Sequence, residues 1–318
     1  MRDLASEALP APLFDEVADG PAGGVAHWLT TADGLRIRVA QWGAQAPHGT
    51  VLLFPGRTEY VEKYGRTAAD LLARGFATLT IDWRGQGLAQ RLLAEPLLGH
   101  VGAFRDYQQD VAAMLAHARA QGLPEPYYLL AHSMGGCIGL RALIEGLPVA
   151  AAAFTGPMWG IGIARALRPI AWALTGVSGP LRFDHRIAPG QTLQTYTQRA
   201  GFEGNDLTND RAMFAYMQAQ LQAHPELAIG GPTLRWLGEA LRETRALARL
   251  PSPPVPCLAF LGLEEGIVDA ARIRARMADW RQGRLVTLPT CKHEVLMETP
   301  GPRAQALADM AAHFLAHR

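Results

Sequence analysis

Short, mainly apolar runs recur along this chain, at Thr50–Phe54, Ala77–Ile81, Tyr127–His132, Val149–Phe154, Cys257–Leu261 and Arg284–Leu288. Thr50–Phe54, Ala77–Ile81 and the run from Tyr127 are short and lack polar alternation, so they predict buried strands of a parallel sheet, and the other three read as further strands of that sheet. Helical stretches separate them: about Glu59 to Arg74 with Gly75 as C-cap, Val101 to Ala120 ending at Gly122, and a stretch after Ser133 that Gly146 and Pro148 terminate. Asp269 to Trp280 and Pro302 to Ala316 complete the set. Upstream, Val25–Thr31 and Leu35–Trp42 flank the turn signal Ala32-Asp33-Gly34 and predict an antiparallel hairpin. Residues 1 to 24, rich in Pro, Ala and Gly, predict an arm over the surface.

The strand–helix rhythm predicts an α/β fold, a mostly parallel sheet with helices on both faces. It stops between residues 157 and 250, where helical patterns follow one another at 164–174, 192–199, 210–223 and 233–247 with no convincing buried strand. Pro251-Ser252-Pro253-Pro254-Val255-Pro256 marks the return of the sheet. The expected organisation is therefore a core in two parts, 1–156 and 251–318, with a helical lid at 157–250 inserted after the sixth strand.

Composition narrows the function classes. The chain has 318 residues, of which 49% are hydrophobic, so it can bury a large core and is not a disordered protein. A net charge of +1 argues against nucleic acid as the main partner. The three cysteines, Cys137, Cys257 and Cys291, are far apart and lack metal-site spacing, so reduced thiols in a cytoplasm are the simplest expectation. No apolar stretch reaches the length of a membrane span, and the first residues lack the apolar core of a signal peptide. No nucleotide-binding glycine loop or metal-ligand cluster is visible, so neither a cofactor nor a metal is expected.

The candidate chemistry sits where the apolar run Tyr127–Ala131 gives way to His132-Ser133-Met134-Gly135-Gly136 and then to helical pattern. A serine on a tight strand-to-helix turn needs small neighbours, because the two backbones approach closely there, and Ala131 and Gly135 fit those positions. The other three serines, Ser6, Ser178 and Ser252, do not follow a strand. The bland alternative is a glycine-rich turn with a passive serine. A serine hydroxyl is a weak nucleophile unless a base removes its proton and a third group orients that base. Of ten histidines, His293 lies in the loop after the last strand, the place such a base requires. The acid should follow the penultimate strand, where Glu264, Glu265 and Asp269 compete. Position favours Glu265, with Asp269, a natural helix N-cap, second. An oxyanion needs two backbone N–H donors, expected from Met134 and from Arg57 in the loop after Thr50–Phe54.

Several blocks, in order along nearly the whole chain outside the lid, resemble the monoglyceride lipase and bacterial lysophospholipase family of serine α/β-hydrolases. Pro55-Gly56-Arg57-Thr58-Glu59-Tyr60 is similar to the family's oxyanion loop, with Pro55 in place of His. Asp82-Trp83-Arg84-Gly85-Gln86-Gly87 and Gly99-His100-Val101 through Asp110-Val111 resemble two further family segments. The elbow Ala131-His132-Ser133-Met134-Gly135-Gly136 is of the family's type. Gly262–Asp269 places Glu265 where the family has its catalytic Asp, and His293-Glu294 through Glu298 resembles the segment around its catalytic His.

The resemblance implies ester hydrolysis through an acyl-enzyme, with a lysophospholipid or monoacylglycerol as substrate. The apolar lid residues Met158, Trp159, Ile161, Ile163, Leu167, Ile170, Trp172 and Leu174 either dock on an acyl chain or lipid, with transient membrane-surface contact, or simply pack on the core. Arg165, Arg168 and Arg182 either meet an anionic head group or lie solvated. The rival functions are a same-fold hydrolase of non-lipid substrates, such as a short-ester esterase or a proline-releasing aminopeptidase, and a catalytically silent binding module.

Overall fold

The computed structural model describes residues 8–318. Nine strands among them form one sheet: β1 (Leu9–Ala11), β2 (Val25–Thr30), β3 (Arg36–Trp42), β4 (Thr50–Phe54), β5 (Ala77–Asp82), β6 (Tyr127–His132), β7 (Ala151–Thr155), β8 (Cys257–Gly262) and β9 (Gly283–Leu288). Their spatial order is β1-β2-β3-β5-β4-β6-β7-β8-β9. The pairs β1/β2, β2/β3 and β3/β5 are antiparallel, and every pair from β5/β4 to β8/β9 is parallel.

The helices are α1 (Asp15–Ala18), α2 (Gly65–Leu72), α3 (Tyr107–Ala120), α4 (Ser133–Ile144), α5 (Arg168–Ser178), α6 (Tyr196–Arg199), α7 (Arg211–Ala223), α8 (Leu234–Leu247), α9 (Ala270–Ala278) and α10 (Pro300–Leu315). Apolar runs become strands buried on both faces because alternate side chains enter two separate cores. Leu52, Phe54, Leu129 and Ala131 join one core, on the α3, α4 and α9 side. Val51, Leu53, Tyr128 and Leu130 join the other, on the α10 side.

Several expected boundaries move. The Pro-rich N-terminal segment is more than an arm, since β1 pairs with β2; Pro10 is tolerated because this is an edge strand. Residues 1–7 lie outside the described residues. The helix expected from Glu59 begins as a 3₁₀ turn at Val61–Tyr64 and becomes α-helical at Gly65, because Glu59 is engaged by the Gly56 N–H of the loop before it and by the Tyr64 hydroxyl. The helix expected at 164–174 shifts to Arg168–Ser178, with Pro169 in its first turn, where the missing N–H has no partner to lose. The helix expected at 192–199 shrinks to Tyr196–Arg199, because Thr195 caps it by accepting from the Gln198 N–H at 3.2 Å. Between β7 and β8 the chain is helical, as the pattern predicts, but this insertion follows the seventh strand rather than the sixth because β1 adds one; α5 packs against α8 there. Among the described residues no helix is long and apolar enough to cross a membrane.

The sheet order fixes where chemistry can occur. From β4 the chain moves to β5 on one side and to β6 on the other, so the crevice outside the carboxyl ends of β4 and β6 is a switch point. In register, Phe54 lies beside Ala131, which brings Pro55-Gly56-Arg57 next to His132-Ser133.

Candidate active site

Ser133 follows β6 directly and opens α4 with a φ of 49°, a left-handed conformation unfavourable for a residue with a Cβ. Packing enforces it. A Cβ on Gly135 would stand 2.1 Å from the Phe54 carbonyl oxygen, and one on Gly136 2.5 Å from Pro157 Cβ, so the turn closes only with glycine there. Ala131 sits where small residues are needed, since a Cβ on Gly139, one helical turn beyond Gly135, would stand only 3.3 Å from the Ala131 Cβ. The Ser133 carbonyl accepts the Met158 N–H at 2.8 Å, which ties the elbow to the chain leaving β7.

His293 is brought from the loop after β9. Its Nδ1 lies 2.7 Å from Glu265 Oε2, in the loop after β8. The second oxygen, Oε1, accepts the N–H groups of Ile267 at 2.7 Å and Val268 at 3.0 Å. Burial alone would raise the Glu265 pKa, but the His293 hydrogen bond and these N–H donors outweigh it and hold the carboxyl below its ordinary value. Asp269 is instead the N-cap of α9, accepting from Ala271 and Arg272 N–H, and it pairs with Arg168 at 2.8 Å. Glu264 accepts from the Asn209 side chain at 3.1 Å. Of the three competing carboxylates, Glu265 is the one brought onto His293.

The loop after β4 is pinned group by group. The Gly56 N–H donates to Glu59, the Thr58 N–H donates to Gln86 Oε1 at 2.6 Å, and Trp83 Nε1 donates to the Pro55 carbonyl at 2.9 Å. The Arg57 N–H between them has no hydrogen-bond partner among the described residues, and neither does the Met134 N–H. Two unpaired donors on adjacent loops can receive a negative oxygen.

A quartet of buried charges beneath these loops was not foreseen. Lys63 Nζ lies 2.6 Å from Glu59 and 2.7 Å from Glu294. His132 Nε2 lies 3.3 Å from Glu294 and 3.6 Å from Glu59, and its Nδ1 is 2.9 Å from the Thr155 carbonyl. Burial opposes charge on Lys63 and His132, yet Glu294 and Glu59 raise both pKa values. Lys63 and His132 in turn overcome burial and hold Glu294 well below the carboxylate range. Glu59, His132 and Glu294 offer donors within 4.8 Å of one another, a grouping the sequence spacing does not reveal. The Lys63 ammonium already bridges the two carboxylates and supplies their cation. The sequence signal was available in Glu59 and Glu294, each beside an expected site residue, but 231 positions separate Lys63 from Glu294.

Ser133, His293 and Arg57 line one cavity of about 550 Å³. Its wall is mostly apolar and is contributed largely by the helical segment between β7 and β8, including Ile161, Leu167, Ile170 and Leu174. Of the apolar residues expected on the lid, Trp159 packs into the core, Met158 is buried there and also lines the cavity, and Leu167 and Ile170 are 55% and 61% exposed at the cavity's edge. Arg168 is engaged by Asp269, and the side chain of Arg165 lies outside the described set. Cys137, Cys257 and Cys291 are unpaired and buried.

The chain is similar in sequence and in fold to known proteins. A sequence model described as serine aminopeptidase, S33, matches residues 45–300. Lysophospholipase L2 of Escherichia coli strain K12 is 34% identical over 300 residues, covering 91% of this chain and 87% of its own length. A soluble variant of monoglyceride lipase from Saccharomyces cerevisiae, solved with a substrate analogue, superposes with a TM-score of 0.69 at 19% identity, covering 90% of this chain and 93% of that one. Monoacylglycerol lipase of Paleococcus ferrophilus gives 0.66 at 17% identity, over 89% and 99% of the two chains. With the family match spanning both sheet segments and the helices between them, the chain belongs to the serine aminopeptidase S33 family of α/β-hydrolases.

Proposed function

We propose that this protein is a serine ester hydrolase that cleaves lysophospholipids or monoacylglycerols through an acyl-enzyme. The observation that carries the reading is the 2.7 Å Glu265–His293 pair, whose His293 lines a largely apolar cavity together with the strained Ser133. His293 takes the Ser133 hydroxyl proton through Nε2 as the oxygen attacks the ester carbonyl. The tetrahedral oxyanion is received by the N–H groups of Arg57 and Met134. On collapse, His293 returns the proton to the leaving alcohol, and the acyl group remains on Ser133. A water, deprotonated by His293, then attacks the acyl carbonyl and releases the fatty acid. Glu265 fixes the imidazole with Nδ1 protonated and stabilises the imidazolium that forms twice per cycle.

The helical segment 157–250 is a cap on a core built from 1–156 and 251–318, and its apolar side chains form the acyl-chain wall. The exposed Leu167 and Ile170 at the cavity edge support transient contact with lipid surfaces. Buried, unpaired thiols are compatible with a cytoplasmic setting. A proline-releasing aminopeptidase is the second reading, favoured by the description of the matched family.

The deciding experiment compares p-nitrophenyl esters of increasing chain length, lysophosphatidylcholine, monoacylglycerol and a proline anilide, using wild type and Ser133→Ala. Lipid-ester turnover that rises with chain length and vanishes in Ser133→Ala is expected, along with fluorophosphonate labelling of wild type only. Turnover confined to the anilide establishes the aminopeptidase, and substantial ester turnover by Ser133→Ala removes Ser133 from the mechanism.

A further inference from the structure

We propose that the Arg57 side chain binds the phosphodiester of an anionic lysophospholipid and selects such substrates over neutral monoacylglycerols. The inference rests on the ester-hydrolase reading above and adds a role that the Arg57 backbone N–H does not fill.

Arg57 and Lys63 are the arginine and lysine among the residues lining the cavity; of its two histidines, His132 faces Glu294 and Glu59, and His293 faces Glu265. Lys63 is neutralised by Glu59 and Glu294. No carboxylate among the described residues lies within salt-bridge distance of Arg57. Its Nη1 donates to the Gly230 carbonyl at 2.8 Å, and its guanidinium lies 5.5 Å from the centre of the Trp236 ring. Nε and Nη2 have no acceptor among the described residues. The neighbouring Tyr107 phenol is kept neutral by burial and brings no charge. Burial accordingly pushes the Arg57 guanidinium down to about 10, still charged at neutral pH. A partly desolvated cation without a counterion is unfavourable by itself and becomes favourable when an anion enters.

Position identifies the anion. The Arg57 N–H is a candidate donor to the scissile carbonyl, so the guanidinium is tethered to the reacting atoms by its own side chain. About five bonds separate Cα from Cζ, and about six separate the carbonyl carbon of an sn-1 ester from the phosphorus of a glycerophospholipid. A phosphodiester beyond the scissile ester is therefore within reach of the free face of the guanidinium, whose fork matches two phosphate oxygens. A monoacylglycerol presents only hydroxyls there. The competing explanation is that Arg57 merely ties the oxyanion loop to Gly230 of the cap; it predicts equal losses for both substrate classes.

The test measures kcat/KM for decanoyl-lysophosphatidylglycerol and for decanoylglycerol, which share the acyl ester and differ in the phosphodiester, with wild type, Arg57→Gln and Arg57→Lys. A disturbance of the oxyanion loop affects both substrates and cancels in their ratio. The ratio of charged to neutral substrate is expected to fall about 10- to 100-fold in Arg57→Gln, mainly through KM, with partial recovery in Arg57→Lys. A ratio unchanged within about 2-fold overturns the inference while leaving ester hydrolysis intact. Turnover of neither substrate by wild type overturns the hydrolase reading and the inference with it. If Arg57→Gln loses its fold, wild type decides alone: glycerophosphoglycerol must compete with decanoylglycerol hydrolysis where equimolar glycerol does not, and absence of competition overturns the inference.

Discussion

Glu265 meets His293 through one carboxylate oxygen at 2.7 Å while the other is held by the backbone of its own loop, at Ile267 and Val268. The longer side chain of glutamate is thus clamped at both oxygens, and its extra methylene adds no freedom. Glu265→Gln keeps the shape but offers His293 a neutral partner that can stabilise the wrong tautomer. The expected kcat loss on a p-nitrophenyl ester is about 10³- to 10⁴-fold. Glu265→Asp keeps the charge but cannot reach His293 and both N–H donors together, so a loss of about 10- to 100-fold is expected. Equal activity of Glu265→Gln and wild type would remove Glu265 from the acid role.

Asp269 has the opposite profile. Its Oδ1 accepts the N–H groups of Ala271 and Arg272 at the start of α9. Asp269→Ala should lower stability by about 1 kcal/mol in urea titration, the usual cost of a lost cap. Turnover per folded molecule should stay within a few-fold of wild type. A loss comparable to that of Glu265→Gln would instead make Asp269 the orienting acid.

The contrast between these carboxylates shows what the chain discloses. Apolar runs such as Thr50–Phe54 and Tyr127–Ala131 are legible because burial on both faces removes every polar residue, and their parallel pairing follows from the helices between them. Ser133 is legible because the close approach of Gly135 to the Phe54 carbonyl leaves a local composition signature. Glu265, Glu264 and Asp269 lie within six positions, so backbone turns below the resolution of pattern reading decide which one faces His293. Pro169 carried a boundary signal for α5, since proline is accepted in a first turn and not in a helix centre. The Lys63–Glu294 contact is set by tertiary packing, and no local pattern encodes it.

Gly156, directly after β7, lies against the acid–base pair. It has a φ of +48°, and a Cβ there would stand 3.0 Å from His293 Nδ1 and 3.2 Å from Glu265 Oε2. Gly156→Ala therefore adds a methyl group against the very hydrogen bond that orients the imidazole. The left-handed backbone costs about 1–2 kcal/mol of stability. The displacement of His293 should lower kcat on a short ester by about 100-fold, more than the stability change accounts for. An alanine variant with wild-type kcat would show that the pair tolerates displacement and is not held tightly.

The quartet of Lys63, Glu59, Glu294 and His132 should write itself into the pH dependence of stability. Glu294 has a depressed pKa in the folded protein, so its contribution is complete above the unfolded glutamate value near 4.3 and is lost as pH falls through the lower folded value. His132 has a raised pKa, so its contribution is complete below the unfolded value near 6.5 and is lost as pH rises through the higher folded value. Both are complete only between about pH 4.5 and 6.5. Glu294→Gln leaves Lys63 and His132 buried with one carboxylate instead of two, and removing one partner of a buried pair typically costs about 3–5 kcal/mol. Urea unfolding at a series of pH values should therefore show the largest gap between wild type and Glu294→Gln near pH 5–6. The gap should narrow below about pH 4, where the unfolded chain binds a proton at Glu294 that the folded protein takes up only at lower pH, and narrow above about pH 6.5, where the unfolded chain releases the His132 proton before the folded protein does. A gap that is constant from pH 3 to 9 would mean that Glu294 contributes shape rather than charge, and the quartet would then be no more than packing beneath the elbow.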